Sequence, residues 1–319
     1  MFTQILIVLA GLVMIITGAE FLVKGASGIA RKAGISEFII GLSIVAIGTS
    51  APEMVVSLIG AFEGNSDVSA GNVLGSNIFN GLLILGTTAL LMPISISKAN
   101  KRFDIPWYFA FTLGVFLATK AYTLFGIGSE DILSRVGGVL LLILFTAYIF
   151  LTYRKNAKSE DEAIQEDKGK TWVYILLTFS GIGLLIYGGQ VFVDGSTALA
   201  RLAGLSDKFI AVTILAMGTS LPEFATSIVA TMQKKGQLAL GNILGSNIFN
   251  LLLVLGTSAV VSPIHFANIS LIDFGSLLLG AAIILTGTFR AGRCRVGRFE
   301  GLLLLAVYVA YMINLFINL

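Results

Sequence analysis

An all-α polytopic membrane protein of ten transmembrane helices, built as two inverted five-helix repeats, is the fold class the sequence predicts. Three observations predict it. Of 319 residues 56% are hydrophobic and only 12% charged, with a mean hydropathy of +0.91; soluble domains run at roughly 45–50% apolar and about 25% charged. Ten apolar runs are long enough for a hydrocarbon core of roughly 30 Å, which takes about 20 helical residues: 4–30, 38–62, 68–92, 103–126, 132–153, 171–200, 208–232, 238–262, 269–289 and 299–318. Sliding the chain along itself by 170 positions aligns 18–94 with 188–264 without a gap, at about 34 identities in 77 positions. Shared composition does not repeat Gly, Pro, Ser, Thr, Asn and Glu in register, so this is an internal duplication.

The first run continues well past the h-region of a secretory signal and has neither a basic start nor an A-x-A-like cleavage site, so it is expected to remain as a resident helix. Residues 1–153 form the first repeat and 171–319 the second. Between them 154–170, with five basic and five acidic residues and no apolar periodicity, is expected to be a solvated linker. Five spans per half is an odd number, so the second half enters the membrane from the opposite side. Lys and Arg concentrate, about 16 to 4, in the loops that such a topology puts on one face. The positive-inside rule then puts both termini outside and 154–170 in the cytoplasm of a cell whose cytoplasmic membrane holds the protein.

One cysteine and one histidine exclude a disulfide framework and a soft-ligand centre for zinc, iron or copper. Whatever is bound is bound by oxygen, and no cofactor is expected. The oxygen is concentrated in two motifs. "GTSAPE" at 48–53 returns as "GTSLPE" at 218–223. Pro52 removes a hydrogen bond and clashes with the Gly48 carbonyl, so the helix must unwind just before it and leave carbonyls near Ala46, Ile47 and Gly48 without partners. In hydrocarbon such a break persists only where neighbours, water or an ion satisfy it. Glu53 and Glu223 follow at about mid-span, where a charge costs roughly 2.5–3.5 kcal/mol on insertion scales. "GNVLGSNIFN" at 71–80 and "GNILGSNIFN" at 241–250 add a polar stripe, Asn72, Ser76 and Asn80 at i, i+4 and i+8, and Gly71 and Gly75 suit a close helix approach. The alternative for this stripe is helix–helix glue; two copies, each beside a broken glutamate helix, favour an ion site. Glu20 and Lys24, matched by Gln190 and Asp194, are assigned to pairing or snorkelling, and Asp104, Asp273 and Glu300 to the interface.

Paired GTSxPE and GNxxGSNIFN motifs in two five-helix halves resemble the sodium/calcium exchanger family of the cation/calcium antiporter superfamily, in its short prokaryotic form. The resemblance implies that Glu53 and Glu223 bind Ca²⁺, with backbone oxygens of Thr49 and Thr219. It implies Na⁺ sites at the carbonyls of Ala46 and Ala216, the hydroxyls of Thr49, Ser50, Thr219 and Ser220, and Ser76 and Ser246, with Asn80 and Asn250 completing the central ring. Relatives that include the potassium-dependent branch carry Asp at the position of Asn250, so the resemblance implies exchange without K⁺. The substrates are then Ca²⁺ and Na⁺ and the surroundings a lipid bilayer, with neither nucleic acid nor an obligate protein partner. A proton/calcium antiporter, with protons carried on the same glutamates, is the nearest alternative; an ion channel is a second. An enzyme is disfavoured, because the lone histidine lies far from both motifs and leaves no nucleophile–base pair.

Overall fold

The computed structural model describes residues 2–156, 169–203, 216–289 and 294–317. Most of the 154–170 linker and the first part of the 208–232 span therefore lie outside the described residues. The rest is helical. Seven helices are long and apolar enough to cross a membrane, and a bent pair makes an eighth. With the shorter helices between them, the elements used below are, in chain order, α1 (Phe2–Ala33), the bent pair α2 (Glu37–Thr49) and α3 (Ala51–Phe62), α4 (Ser66–Leu91), α5 (Asp104–Thr119), α6 (Ala121–Phe125), α7 (Arg135–Asn156), α8 (Thr171–Leu202), α9 (Ala216–Gly218), α10 (Leu221–Met232), α11 (Gly236–Val261), α12 (Leu271–Phe289) and α13 (Arg298–Ile317).

The two longest helices lie against each other. A Cβ added at Gly11 of α1 would sit 2.6 Å from the Phe192 nitrogen, one at Gly18 2.9 Å from the Gly181 carbonyl, and one at Gly25 2.6 Å from the Thr178 nitrogen. The α8 partner falls in number as the α1 residue rises, so α1 and α8 are antiparallel. Apolar side chains gain nothing from leaving lipid for one another, so it is the backbone approach that only Gly permits which holds this pair together.

α11 is the innermost helix, with 94% of its apolar window buried, and α4 follows at 78%. α11 runs parallel to α2: a Cβ at Gly241 would lie 2.3 Å from the Phe38 carbonyl and one at Gly245 2.7 Å from the Leu42 Cα. Gly241→Ala is expected to force these helices apart at a cost of about 1–3 kcal/mol, the usual price of overpacking; a lowered thermal midpoint in detergent checks it. The repeat mates Gly71 and Gly75 meet nothing within 4 Å among the described residues. The shift that pairs Gly241 with Phe38 would pair Gly71 with position 208, which is not described.

Two short antiparallel ribbons tie the helix ends. β1 (Ile94–Ser95) pairs with β4 (Arg295–Val296), Ile94 opposite Val296; β2 (Ile132–Leu133) pairs with β3 (Ile264–His265), Leu133 opposite Ile264. Ile94 and Ile264 are repeat mates, so the ribbons are copies of one another. Around the first, Gln237 Nε2 donates to the Ser95 carbonyl at 2.5 Å and Asn100 donates to Gln237 at 3.0 Å. Beyond the second, the Phe266 amide donates to the Asp131 carbonyl and Asn268 to Asp67. In both clusters, the loops in contact are ones that the sequence assigns to the same face.

One expectation is corrected. The 103–126 run is not one helix: it breaks at Lys120, between α5 and α6. Lys120 is buried, with Nζ donating to Asp131 at 3.1 Å and to the Phe266 carbonyl at 2.6 Å. Asp104 opens α5 and does not face solvent. It is fully buried between α5 and α7, where Tyr148 and Thr152 donate to its carboxylate at 3.0 and 3.1 Å. Asp273, by contrast, behaves as a helix-end acid, accepting the Ser270 amide at 2.7 Å.

Candidate ion site

The break between α2 and α3 falls at Ser50, with φ −85° and ψ 8°, and bends the pair by 50°. Ser220 repeats it with φ −91° and ψ 6°. Pro52 and Pro222 stand in the first turns of the restarting helices, where a missing N–H costs nothing. Glu53 and Glu223 occupy the same turns, where the partial positive charge of the helix start favours a carboxylate. One expectation shifts by a peptide: the Ser50 amide donates to the Ala46 carbonyl at 2.9 Å. The Thr49 hydroxyl also lies within 3.4 Å of that oxygen. In the second copy the Ser220 amide goes to Met217 instead, at 3.2 Å, and Ala216 opens α9.

The two breaks face each other. Ser50 Oγ donates to Glu223 Oε1 at 2.7 Å, and Ser220 Oγ donates to Glu53 Oε1 at 2.9 Å. Each glutamate is thus held by the serine of the other half. Ser76 and Ser246 donate to the same oxygens of Glu53 and Glu223 at 3.4 Å each. Both carboxylates are fully buried, and Oε2 of each has no partner among the described residues.

Asn80 and Asn250 sit in π-helical segments, Phe79–Ile84 and Phe249–Val254. The wider turn loosens the backbone ladder, a feature concentrated at functional sites. Both amides are fully buried with oxygen and nitrogen unpaired, and the Thr219 hydroxyl is unpaired as well. Nearly all buried polar groups in proteins find a partner. Unpaired buried oxygens, two of them on carboxylates, are the donor type that a hard cation takes.

Of the expected residues, Glu53, Glu223, Ser50, Ser220, Ser76 and Ser246 form one hydrogen-bonded group. Thr49 Oγ1 donates to the Val45 carbonyl at 3.1 Å or to Asn242 Oδ1 at 3.2 Å, and its lone pairs stay available. Asn72 does not join the group: it donates to the Glu53 carbonyl at 3.0 Å and to Ser57 at 2.9 Å, as Asn242 does to Glu223 and Ser227. These asparagines position the glutamate helices. Sequence inspection passes over Asn77, Asn247 and Tyr108, which cross-link the centre: Asn77 Nδ2 donates to the Asn247 carbonyl at 3.2 Å and Asn247 Nδ2 to the Tyr108 hydroxyl at 3.0 Å. The repeat of "SN" at 76–77 and 246–247 was the available signal. Among the described residues no three His, Cys, Asp or Glu side chains group into a metal site. Two carboxylates and neutral oxygens are a sparse set, suited to release as well as capture.

Comparison with known proteins fits this arrangement. The family model described as "Sodium/calcium exchanger protein" matches residues 3–154 and 173–317. The chain belongs to the sodium/calcium exchanger family. It is 32% identical to the sodium/calcium exchanger MaX1 of Methanosarcina acetivorans over 98% of both chains. It is also 32% identical to the inner membrane protein YrbG of Escherichia coli, over 98% of this chain and 96% of the other. Among solved structures, the sodium-calcium exchanger NCX_Mj soaked with 10 mM Na⁺ and zero Ca²⁺ superposes with a TM-score of 0.85 at 29% identity, over 98% of each chain.

Proposed function

We propose that this family member exchanges Ca²⁺ for Na⁺ by alternating access at one central site, with Glu53 and Glu223 as its charged ligands. The crossed Ser50–Glu223 and Ser220–Glu53 hydrogen bonds carry the proposal, because they bring both carboxylates and their unpaired oxygens into one buried group. Backbone oxygens of Thr49 and Thr219 complete a Ca²⁺ shell. Ala46, Ala216, Ser50, Ser220, Ser76, Ser246, Asn80 and Asn250 supply the oxygens for Na⁺. Two carboxylates are neutralised by one Ca²⁺ or by monovalent ions, and ions that claim the same oxygens exclude one another. Exchange is the consequence of that exclusion.

Ten spans in two inverted halves, 1–153 and 171–319 about a cytoplasmic 154–170 linker with both termini outside, is the architecture that goes with it. The antiparallel α1–α8 pair, the parallel α2–α11 pair and the two copied ribbons support it. The first helices of the two halves, α1 and α8, packed on each other through glycine, are the pair that would slide past the core together. Asn250 is neutral and leaves the site at a formal charge of −2, which supports exchange without K⁺. NCX_Mj has been soaked with 2.5 mM Na⁺ and 10 mM Sr²⁺, and Sr²⁺ would suit the same oxygens here.

Proteoliposomes loaded with Na⁺ and diluted into Na⁺-free buffer are expected to take up ⁴⁵Ca²⁺ with or without K⁺. Uptake driven only by a pH gradient would instead make the protein a proton/calcium antiporter on the same two glutamates. Ser50→Ala and Ser220→Ala are each expected to raise the half-saturating Ca²⁺ about tenfold, the equivalent of one hydrogen bond to a charged group at about 1.5 kcal/mol. Initial uptake rates against Ca²⁺ concentration check this.

A further inference from the structure

Two polar side chains of α8, Gln190 and Asp194, stand one turn apart and are both exposed. A carboxylate in a membrane helix needs water or an ion beside it. The structure provides room for both. A cavity of about 520 Å³ is lined by Ile186, Gln190 and Asp194 along one stripe of α8 and by Pro52, Thr219 and Pro222 opposite. The two prolines immediately precede Glu53 and Glu223, so the cavity ends at the broken segments. Thr219, whose hydroxyl is buried and unpaired, lies at that end.

The repeat makes the acid informative. Under the 170-residue shift Gln190 and Asp194 correspond to Glu20 and Lys24 of α1, so the pair carries a net charge of −1 on α8 and none on α1. Because α1 and α8 are antiparallel, with Gly195 beside Val8 and Gly25 beside Thr178, the two positions lie toward opposite ends of the pair.

We propose that Asp194 steers cations into the site from the side of the α8 C-terminus, concentrating them in the cavity without ligating them at the centre. The approach through α8 is thereby more attractive to cations than the equivalent approach past the neutral pair Glu20 and Lys24. The proposal rests on the ion site lying at Glu53 and Glu223. Low-dielectric walls focus the field of a carboxylate along the cavity. A local potential multiplies the concentration of an ion by a Boltzmann factor whose exponent contains the ion's charge, so the factor for Ca²⁺ is the square of that for Na⁺.

D194N is therefore expected to raise the half-saturating Na⁺ by about 3-fold and the half-saturating Ca²⁺ by about 9-fold on that side, with maximal flux unchanged. Both differences shrink as ionic strength rises, because the screening length falls from about 10 Å at 0.1 M to about 3 Å at 1 M. A charge rescue separates steering from structure. Cys294 is the only cysteine, so C294S gives a cysteine-free background. In it, D194C is modified from one side with an impermeant methanethiosulfonate carrying either a sulfonate or a trimethylammonium group. The sulfonate is expected to restore the lower half-saturation constants and the trimethylammonium to raise them further. Unchanged constants in D194N, the same response to both reagents, or loss of flux at saturating ions would each overturn the proposal. E53Q in the same background reads the site separately: flux retained there would displace the site and leave the Asp194 measurements interpretable.

Discussion

Glu53→Gln and Glu223→Gln are each expected to abolish Na⁺-driven Ca²⁺ uptake. The substitution keeps the shape and one oxygen but removes half of the site's formal charge. It also replaces an acceptor oxygen, held by a serine of the opposite half, with a group that can donate. Removing one member of a buried, hydrogen-bonded charge set costs about 2–5 kcal/mol; at 1.4 kcal/mol per tenfold, uptake falls by about 30-fold or more. The effect is symmetric, because Ser220 holds Glu53 at 2.9 Å as Ser50 holds Glu223 at 2.7 Å. The thermal midpoint of each variant in detergent, without Ca²⁺, is expected to stay near the parent's or above it, since a buried charge with unpaired oxygens opposes folding. Uptake above about a third of the parent's in either variant would exclude that glutamate as a ligand.

The second large effect is on stability and lies away from the ions. Lys120→Met leaves Asp131 buried without its cation, and removing one partner of a buried pair costs about 3–5 kcal/mol. The loss is not local. Asp131 also accepts from the Thr123 amide at 2.9 Å and from the Thr123 hydroxyl, and its carbonyl accepts the Phe266 amide, so the pair ties the α5–α6 break to the strand leading into α12. Lys120→Met with Asp131→Asn should regain most of the midpoint lost by the single variant, whereas additive losses would show that the two side chains act independently. Burial raises the Asp131 carboxyl, but the hydrogen bonds from Thr123 and the Lys120 cation outweigh it and hold the group below the usual range. The sign follows: a depressed carboxylate contributes stability above about pH 4 that is lost as the pH falls through its folded value.

Much of this was legible before any coordinates because the chain states it twice. Repetition at a shift of 170 turned an ambiguous polar stripe into a candidate ion site, and Pro52 and Pro222 located the breaks, since proline in a helix interior has one local meaning. Long-range pairing was not legible. Ser50 meets a glutamate 173 positions away, and nothing in either copy says that its serine serves the other copy. The π-helical turns at Asn80 and Asn250 arise from packing between α4 and α11 and leave no mark on hydropathy. The partners of Asp104 were equally hidden, because Tyr148 and Thr152 come from α7. The division of labour among asparagines was hidden for the same reason: Asn72 and Asn80 lie on one stripe, yet one orients the Glu53 backbone and the other faces the centre.

Competition for one set of oxygens is the centre of the proposed mechanism, and equilibrium ⁴⁵Ca²⁺ binding to the purified protein, titrated with Na⁺, tests it most directly. Na⁺ is expected to displace Ca²⁺ completely, with more than one Na⁺ per Ca²⁺ in the steepness of the curve, and Glu53→Gln and Glu223→Gln to lose the Ca²⁺ signal. Ca²⁺ that stays bound at saturating Na⁺ would contradict a shared site and would leave exchange to be explained by separate sites for the two ions.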